Sequence, residues 1–396
     1  LARTITLAFI SLALVAGVIL QSNAAFQASL QGLTIWWNIV FPGLLPYLVL
    51  FELITAFGLT HAIGALIHPA TSRLLKLPGE SAVVLVLGWL GGQPLGAEAA
   101  ARLRKQELIT KSQGQRLLAL AHMPNPMFML IVIGSGFLHK PAIGVMIAAA
   151  VWLSAIWLLV VLSLFSSDPH AAKRSKEPRA SLLRQAAYAM HAARLQDGRS
   201  FGKVLGDAVA AGVQKLLTIG GFILFAAVLA KLFELLLAPI LANLELPFIS
   251  QALFESHLGA YAVSLWQTPG SNGLLNAAAI AAALAWSGLS GILQVSHAIN
   301  GTDLKLQPFI AARLLHSLHA FCFIYLLWKP INALLPSTFP AFYISGDEGR
   351  AAPAVIKAAD LPSFWGYSLT GSLMLMLPAL FLAFILLLYR RKAVRI

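Results

Sequence analysis

Ser81-Ala82-Val83-Val84-Leu85-Val86-Leu87-Gly88-Trp89-Leu90-Gly91-Gly92-Gln93-Pro94-Leu95-Gly96-Ala97-Glu98 carries an architecture in miniature. The apolar run over 81–95 falls short of the about 20 residues that cross a hydrocarbon core. It stops at Gly91-Gly92-Gln93-Pro94, residues that end helices. A lipid-like run of insufficient length that closes in a turn is the pattern of a re-entrant half-helix. Irregular backbone survives at membrane depth only where protein or water meets its polar groups. Glycine lets another group approach the backbone closely, and Gly96 extends that freedom past the turn. Pro94 is suited to open a second helix whose first N–H groups face a polar or anionic guest. Gln93 supplies both a donor and an acceptor at that point, and Glu98 complements the dipole of the new helix.

The remaining composition agrees. Of 396 residues 59% are hydrophobic and 11% charged, with mean hydropathy +0.80. A soluble domain carries about a quarter charged residues, so this chain is an all-α polytopic membrane protein with membrane lipids as its surroundings. The net charge of +13 comes from residues lying between apolar stretches, which marks cytoplasmic flanks and excludes a nucleic-acid surface. Cys322 is the single cysteine; it excludes an intrachain disulfide and a thiolate cluster, and is expected to be a small buried apolar residue.

About eight transmembrane helices are expected, over 4–20, 36–58, 117–138, 142–164, 214–238, 246–266, 308–329 and 366–389, together with two re-entrant or broken helical hairpins. Residues 274–295, alanine-rich and ending near Gly288 and Gly291, either cross or turn back. Pro42 and Pro46 start the second helix late or kink it, and Trp36 and Trp37 read as interface anchors. Lys173, Arg174, Lys176, Arg179, Arg184, Arg194, Arg199 and Lys203 place 166–206 in the cytoplasm, with a short amphipathic helix over 180–195. Arg3 and the tail Arg390-Arg391-Lys392 place both termini there too, leaving 21–33 and 330–365 outside. The resulting organisation is an N-terminal anchor helix (1–35), a first repeat unit (36–165), a basic linker (166–206), a second unit (207–330), an external loop (331–365) and a C-terminal helix with a basic tail (366–396).

An internal two-fold repeat supports that division. Leu50-Phe51-Glu52 before Gly58 echoes Leu253-Phe254-Glu255 before Gly259, and Glu107, Arg116 and His122 echo Asp303, Arg313 and His319. Paired interruptions in corresponding positions point to a transporter site near the midplane. Glu52 and Glu255 sit within apolar runs, where a carboxylate needs a cation or donors, so they either couple a proton or cation or tie down broken helices. In His122-Met123-Pro124-Asn125-Pro126 two prolines strand carbonyls, and Asn125 offers both hydrogen-bonding senses. The second unit offers Gln294, Ser296, His297, Asn300, Thr302 and Asp303, although Asn300-Gly301-Thr302-Asp303 is also an ordinary turn and cap. No metal site, cofactor or catalytic constellation is expected: His61 with His68 and His316 with His319 lack companion ligands. The chain specifies no oligomer seam, so a homo-oligomer stays open.

On Phe41-Pro42-x-x-x-Pro46, Gly92-Gln93-Pro94-x-Gly96-Ala97, Asn125-Pro126-x-Phe128 and Gln294 followed by Gly301-Thr302-Asp303-Leu304, the chain resembles the YlbJ family of sporulation integral membrane proteins over approximately 5–390. The resemblance implies nucleoside-recognition or Gate domains, so that the two units are Gate-like repeats, and a role in forming resistant spores. Related Gate domains are similar to parts of concentrative nucleoside transporters and ferrous-iron permeases, where paired helical hairpins frame a transport path. The family often has Tyr at the position of Gln93 and a basic residue at that of Glu98, which leaves local solute chemistry open. The expected function is a secondary transporter or permease for a small polar solute. The alternatives are a noncatalytic scaffold of the spore envelope and an intramembrane enzyme acting on lipid around His122 and Glu107.

Overall fold

The computed structural model describes residues 2–164, 181–244, 246–266 and 273–338, and every regular element among them is helical. In chain order these are α1 (Ala2–Leu20), α2 (Ser22–Ile35), a π-helical turn (Trp36–Val40), α3 (Phe41–Ala56), α4 (Leu59–Leu74), α5 (Glu80–Gly91), α6 (Leu95–Lys105) and α7 (Lys111–Ala121). A π-helical segment (Phe128–Phe137) follows, then α8 (Pro141–Leu164), α9 (Leu182–Asp197), α10 (Phe201–Leu244), α11 (Ile249–Phe254), α12 (Ser256–Leu265), α13 (Leu274–Trp286), α14 (Gly288–Ala298) and α15 (Leu306–Thr338).

Five helices among the described residues are long and apolar enough to cross a membrane: Ser22–Ala56, Pro141–Leu158, Phe201–Glu234, Leu274–Ala298 and Leu306–Trp328. This corrects the sequence expectation in several places. Ser22–Ile35 is helical, and α2 runs through the π turn into α3, so the boundary at 35/36 falls inside one helix. The π turn lies just ahead of Pro42, whose missing N–H disturbs the regular ladder. Residues 274–298 form one bent helix. The segments 117–138 and 246–266 are not single crossings: the first is interrupted after His122 and the second reverses at Glu255. The segment 366–389, the basic tail and most of the 331–365 loop lie outside the described residues.

Two antiparallel hairpins result. A Cβ at Gly88 or at Gly96 would stand 1.9 Å from the Ala121 carbonyl oxygen, so only glycine lets α5 and α6 fold against each other around the end of α7. At the second hairpin a Cβ on Gly259 would lie 2.5 Å from the Ala252 Cα, drawing α12 back along α11.

Gly220 of α10 receives the Trp36 ring, whose Nε1 donates to the Leu216 carbonyl at 2.8 Å. Trp36 is therefore a buried helix-packing residue, while Trp37 is exposed. Cys322 also departs from expectation, since it lies exposed on α15. Helix α9 is N-capped by Ser181, closed by left-handed Gly198, and seated over the α3–α4 turn, where a Cβ on Gly58 would meet the Met190 carbonyl.

Candidate functional site: a cavity between two hairpin tips and two broken helices

Pro124 and Pro126 have no N–H, so the carbonyls of Leu120 and His122, four residues earlier, lose their helical donors. Both are met by side chains from other elements. Trp89 Nε1 donates to the Leu120 oxygen at 2.9 Å, and Arg313 Nη1 to the His122 oxygen at 2.7 Å; Arg313 Nη2 also bonds the Ala119 oxygen. Arg313 is fully buried and lies over the Phe309 ring, so a cation caps the negative end of α7. Asn125 serves the other side of the break. Its Oδ1 accepts from Met127 N (2.8 Å) and Phe128 N (3.3 Å), and its Nδ2 points to the Gly91 oxygen at 3.4 Å.

The second interruption uses different residues for a like geometry. Glu255 leaves the helix with φ −151° and caps α12, its Oε2 accepting from Leu258 N at 2.8 Å and its Oε1 contacted by His257 Nδ1. The α13–α14 bend falls at Ser287 and Gly288, with φ of +70° and +72°. In each case a hairpin tip touches a break through a glycine. A Cβ on Gly92 would lie 2.9 Å from Asn125 Cβ, and one on Gly288 would lie 2.8 Å from Glu255 Cα.

All four interruptions converge on a cavity of about 350 Å³. The first hairpin contributes Gly91, Gln93, Pro94 and Glu98; the first break Pro124, Asn125 and Phe128; the second hairpin Glu255, Ser256 and His257; the second break Ser290 and Gln294. Helix α3 adds Leu44 and Leu48, and α10 adds Gln214, Lys215, Thr218 and Phe222. Gln93 Oε1 lies 3.3 Å from the site of a Cβ on Gly291, which brings the two glycine-marked segments face to face. Gln93 Nε2 is buried with no hydrogen-bond partner and is a free donor at this junction.

The structure thus brings Gln93, Asn125, Glu255 and Gln294 together, with Gly91 and Pro94 in the same wall. It does not bring the other candidates there. Glu52 lies on the continuous helix α3 and pairs with Lys215 Nζ, so its match to Glu255 in the sequence echo is not a match in place; from the first hairpin's tip it is Gln93 that lines the cavity together with Glu255. His122 is buried edge-on to Phe309 at 5.2 Å, outside the cavity lining. Ser296 is half-buried and also outside it, and Asn300 is exposed. Asp303 forms a two-point surface bridge to Arg104 (2.8 and 3.0 Å), which holds its carboxyl below the usual range, and Gly301 sits in the adjoining turn. Sequence reasoning missed His257, Lys215 and Ser290. His257 carried a signal in standing two residues from an acid in an apolar run; Lys215 carried one as a cation inside a segment expected to cross.

A helical membrane protein whose hairpin tips and broken helices enclose a polar cavity is the class these features define, and residues 38–152, from the π-helical turn before α3 into α8, match the Gate family model described as nucleoside recognition. The chain is also 32% identical over 375 residues, 91% of its own length and 91% of the relative's, to the sporulation integral membrane protein YlbJ of Bacillus subtilis (strain 168). It belongs to that family of sporulation integral membrane proteins. No solved structure matches it.

Proposed function

We propose that this protein is a secondary transporter or permease for a small polar solute held in the central cavity, with a role in spore formation. The observation that carries the proposal is the convergence of two hairpin tips and two helix breaks on one polar space, with the Gln93 amide donor unspent there. Breaks at membrane depth are costly unless their polar groups serve something, and transporters place binding sites at such discontinuities. In this scheme the α5–α6 hairpin with the α7 break and the α11–α12 hairpin with the α13–α14 bend are the two halves of a duplicated unit. Gln93, Asn125, Ser290 and Gln294 hold the solute by hydrogen bonds, and Phe128 and Phe222 supply apolar faces. Glu255 with His257 offers a site for a coupling proton or cation. No catalytic step is required. The Gate description makes nucleosides the first solutes to try, and the volume falls within the usual range for small-molecule sites.

The test is counterflow of labelled nucleosides and other small polar metabolites in proteoliposomes, paired with complementation of heat-resistant spore formation in a Bacillus subtilis strain lacking YlbJ. Uptake that falls with Gln93→Ala and Gln294→Ala supports the proposal. Full complementation by Gln93→Ala/Asn125→Ala/Gln294→Ala, with no solute moved by the parent protein, overturns it in favour of a scaffold.

A further inference from the structure

Beyond the central cavity the molecule carries a second hollow, of about 280 Å³, roofed by α9 and lined by Glu52, Thr55, His61, Gln196, Asp197 and Arg199. The two spaces share no lining residue. Among the described residues one ion pair joins their walls: Lys215, which lines the central cavity, donates to Glu52, which lines the hollow. We infer that solute passes between the central cavity and the α9 face through this hollow, and that the Glu52–Lys215 pair is the gate between them. The inference rests on the transporter reading above.

Three features fit a gate better than a clamp. Helices α3 and α10 are already held together without the pair. A Cβ on Gly212 would touch Leu45 and Val49, Gly220 receives the Trp36 ring, and Trp36 bonds the Leu216 carbonyl. The pair itself is only part-buried, its side chains 36% and 30% exposed, so it is not locked in the interior as a structural clamp would be. Both charges stand on flexible stems attached to rigidly packed helices, so rotation of side chains opens the passage without moving the helices. The polar run Gln214, Lys215 and Thr218 then continues the path into the cavity along α10.

The experiment uses the full chain in proteoliposomes with Cys322→Ala as background. Ser290→Cys reports the central cavity and Tyr188→Cys, on the exposed side of α9, reports which face a membrane-impermeant thiol reagent reaches. Glu52→Gln is expected to speed Ser290→Cys labelling from the Tyr188→Cys side about two- to fivefold, the shift that loss of a part-exposed ion pair allows. Lys215→Gln should do the same, and Glu52→Lys with Lys215→Glu should return the rate to that of the parent; gel-filtration profiles establish that each variant is folded. Equal labelling rates in all variants, or acceleration from the opposite face, overturn the gate and leave the transporter reading standing. A Ser290→Cys that reacts from neither face in any variant shows a dry interior and overturns both.

Discussion

The Leu120 carbonyl offers a direct measure of what the broken helix demands. Pro124 removes its helical donor and Trp89 Nε1 replaces it at 2.9 Å. Trp89→Phe leaves a buried acceptor unsatisfied, which costs about 1–3 kcal/mol. The smaller ring opens a hole worth about 1 kcal/mol more. The expected loss is therefore about 2–4 kcal/mol, measurable by steric trapping or detergent titration of the full chain in bicelles. Only the first part should depend on residue 124. Pro124→Ala restores an N–H four residues beyond Leu120, so in that background Trp89→Phe should cost less by about 1–2 kcal/mol. If the cost is the same in both backgrounds to within about 0.5 kcal/mol, the indole is packing alone and the account of the break is wrong.

Gly96→Ala should destabilise by about 1–3 kcal/mol because its Cβ would meet the Ala121 carbonyl at 1.9 Å, while Gly202→Ala, with nothing within 4 Å, should gain up to about 1 kcal/mol from helix propensity; thermal unfolding in detergent compares the two. Glu255→Ala should lose the α12 cap, about 0.5–2 kcal/mol, whereas Glu255→Gln keeps an oxygen for Leu258 N, so that reduced transport with near-parent stability in Glu255→Gln isolates the charge. Asp197 is held below the usual carboxylate range, chiefly by Arg199. A depressed folded value means its contribution is present above the ordinary pKa of about 3.9 and is lost as pH falls through the lower folded one. Hydrogen exchange at 190–200 should accordingly rise on acidification below about pH 4, and Asp197→Asn should remove that step.

How far the fold was legible depended on whether a break is written in backbone chemistry. Gly91-Gly92-Gln93-Pro94 and Pro124-Asn125-Pro126 announce themselves, because proline removes a donor and glycine removes a side chain wherever they stand. The reversal at Glu255 has neither residue at its tip. An apolar average over 246–266 passes smoothly through it, and the only local sign is an acid followed by Ser256 at the start of a new helix. Asp303 and Asn300 looked like site residues because they are polar beside apolar runs, yet a surface turn has the same composition. Glu52 misled for a related reason. Its flanks copy those of Glu255, but what places a side chain in the cavity is the path of the backbone, and α3 runs straight where the second hairpin turns back. Arg313 could not be assigned its role from its own neighbours, since the carbonyls it serves are 191 and 194 residues away.

The glycine contacts that join hairpin to break have the bulkier partner on opposite members: Asn125 belongs to a broken helix, while Glu255 belongs to a hairpin tip. One wall of the chamber is therefore amide-lined, with Glu98 farther along its hairpin, and the other carries the Glu255 carboxylate with an imidazole beside it. A guest with two unlike ends meets unlike walls, so turning it around is not an equivalent fit. The chamber has a polarity of its own, and a molecule held there has a defined head and tail.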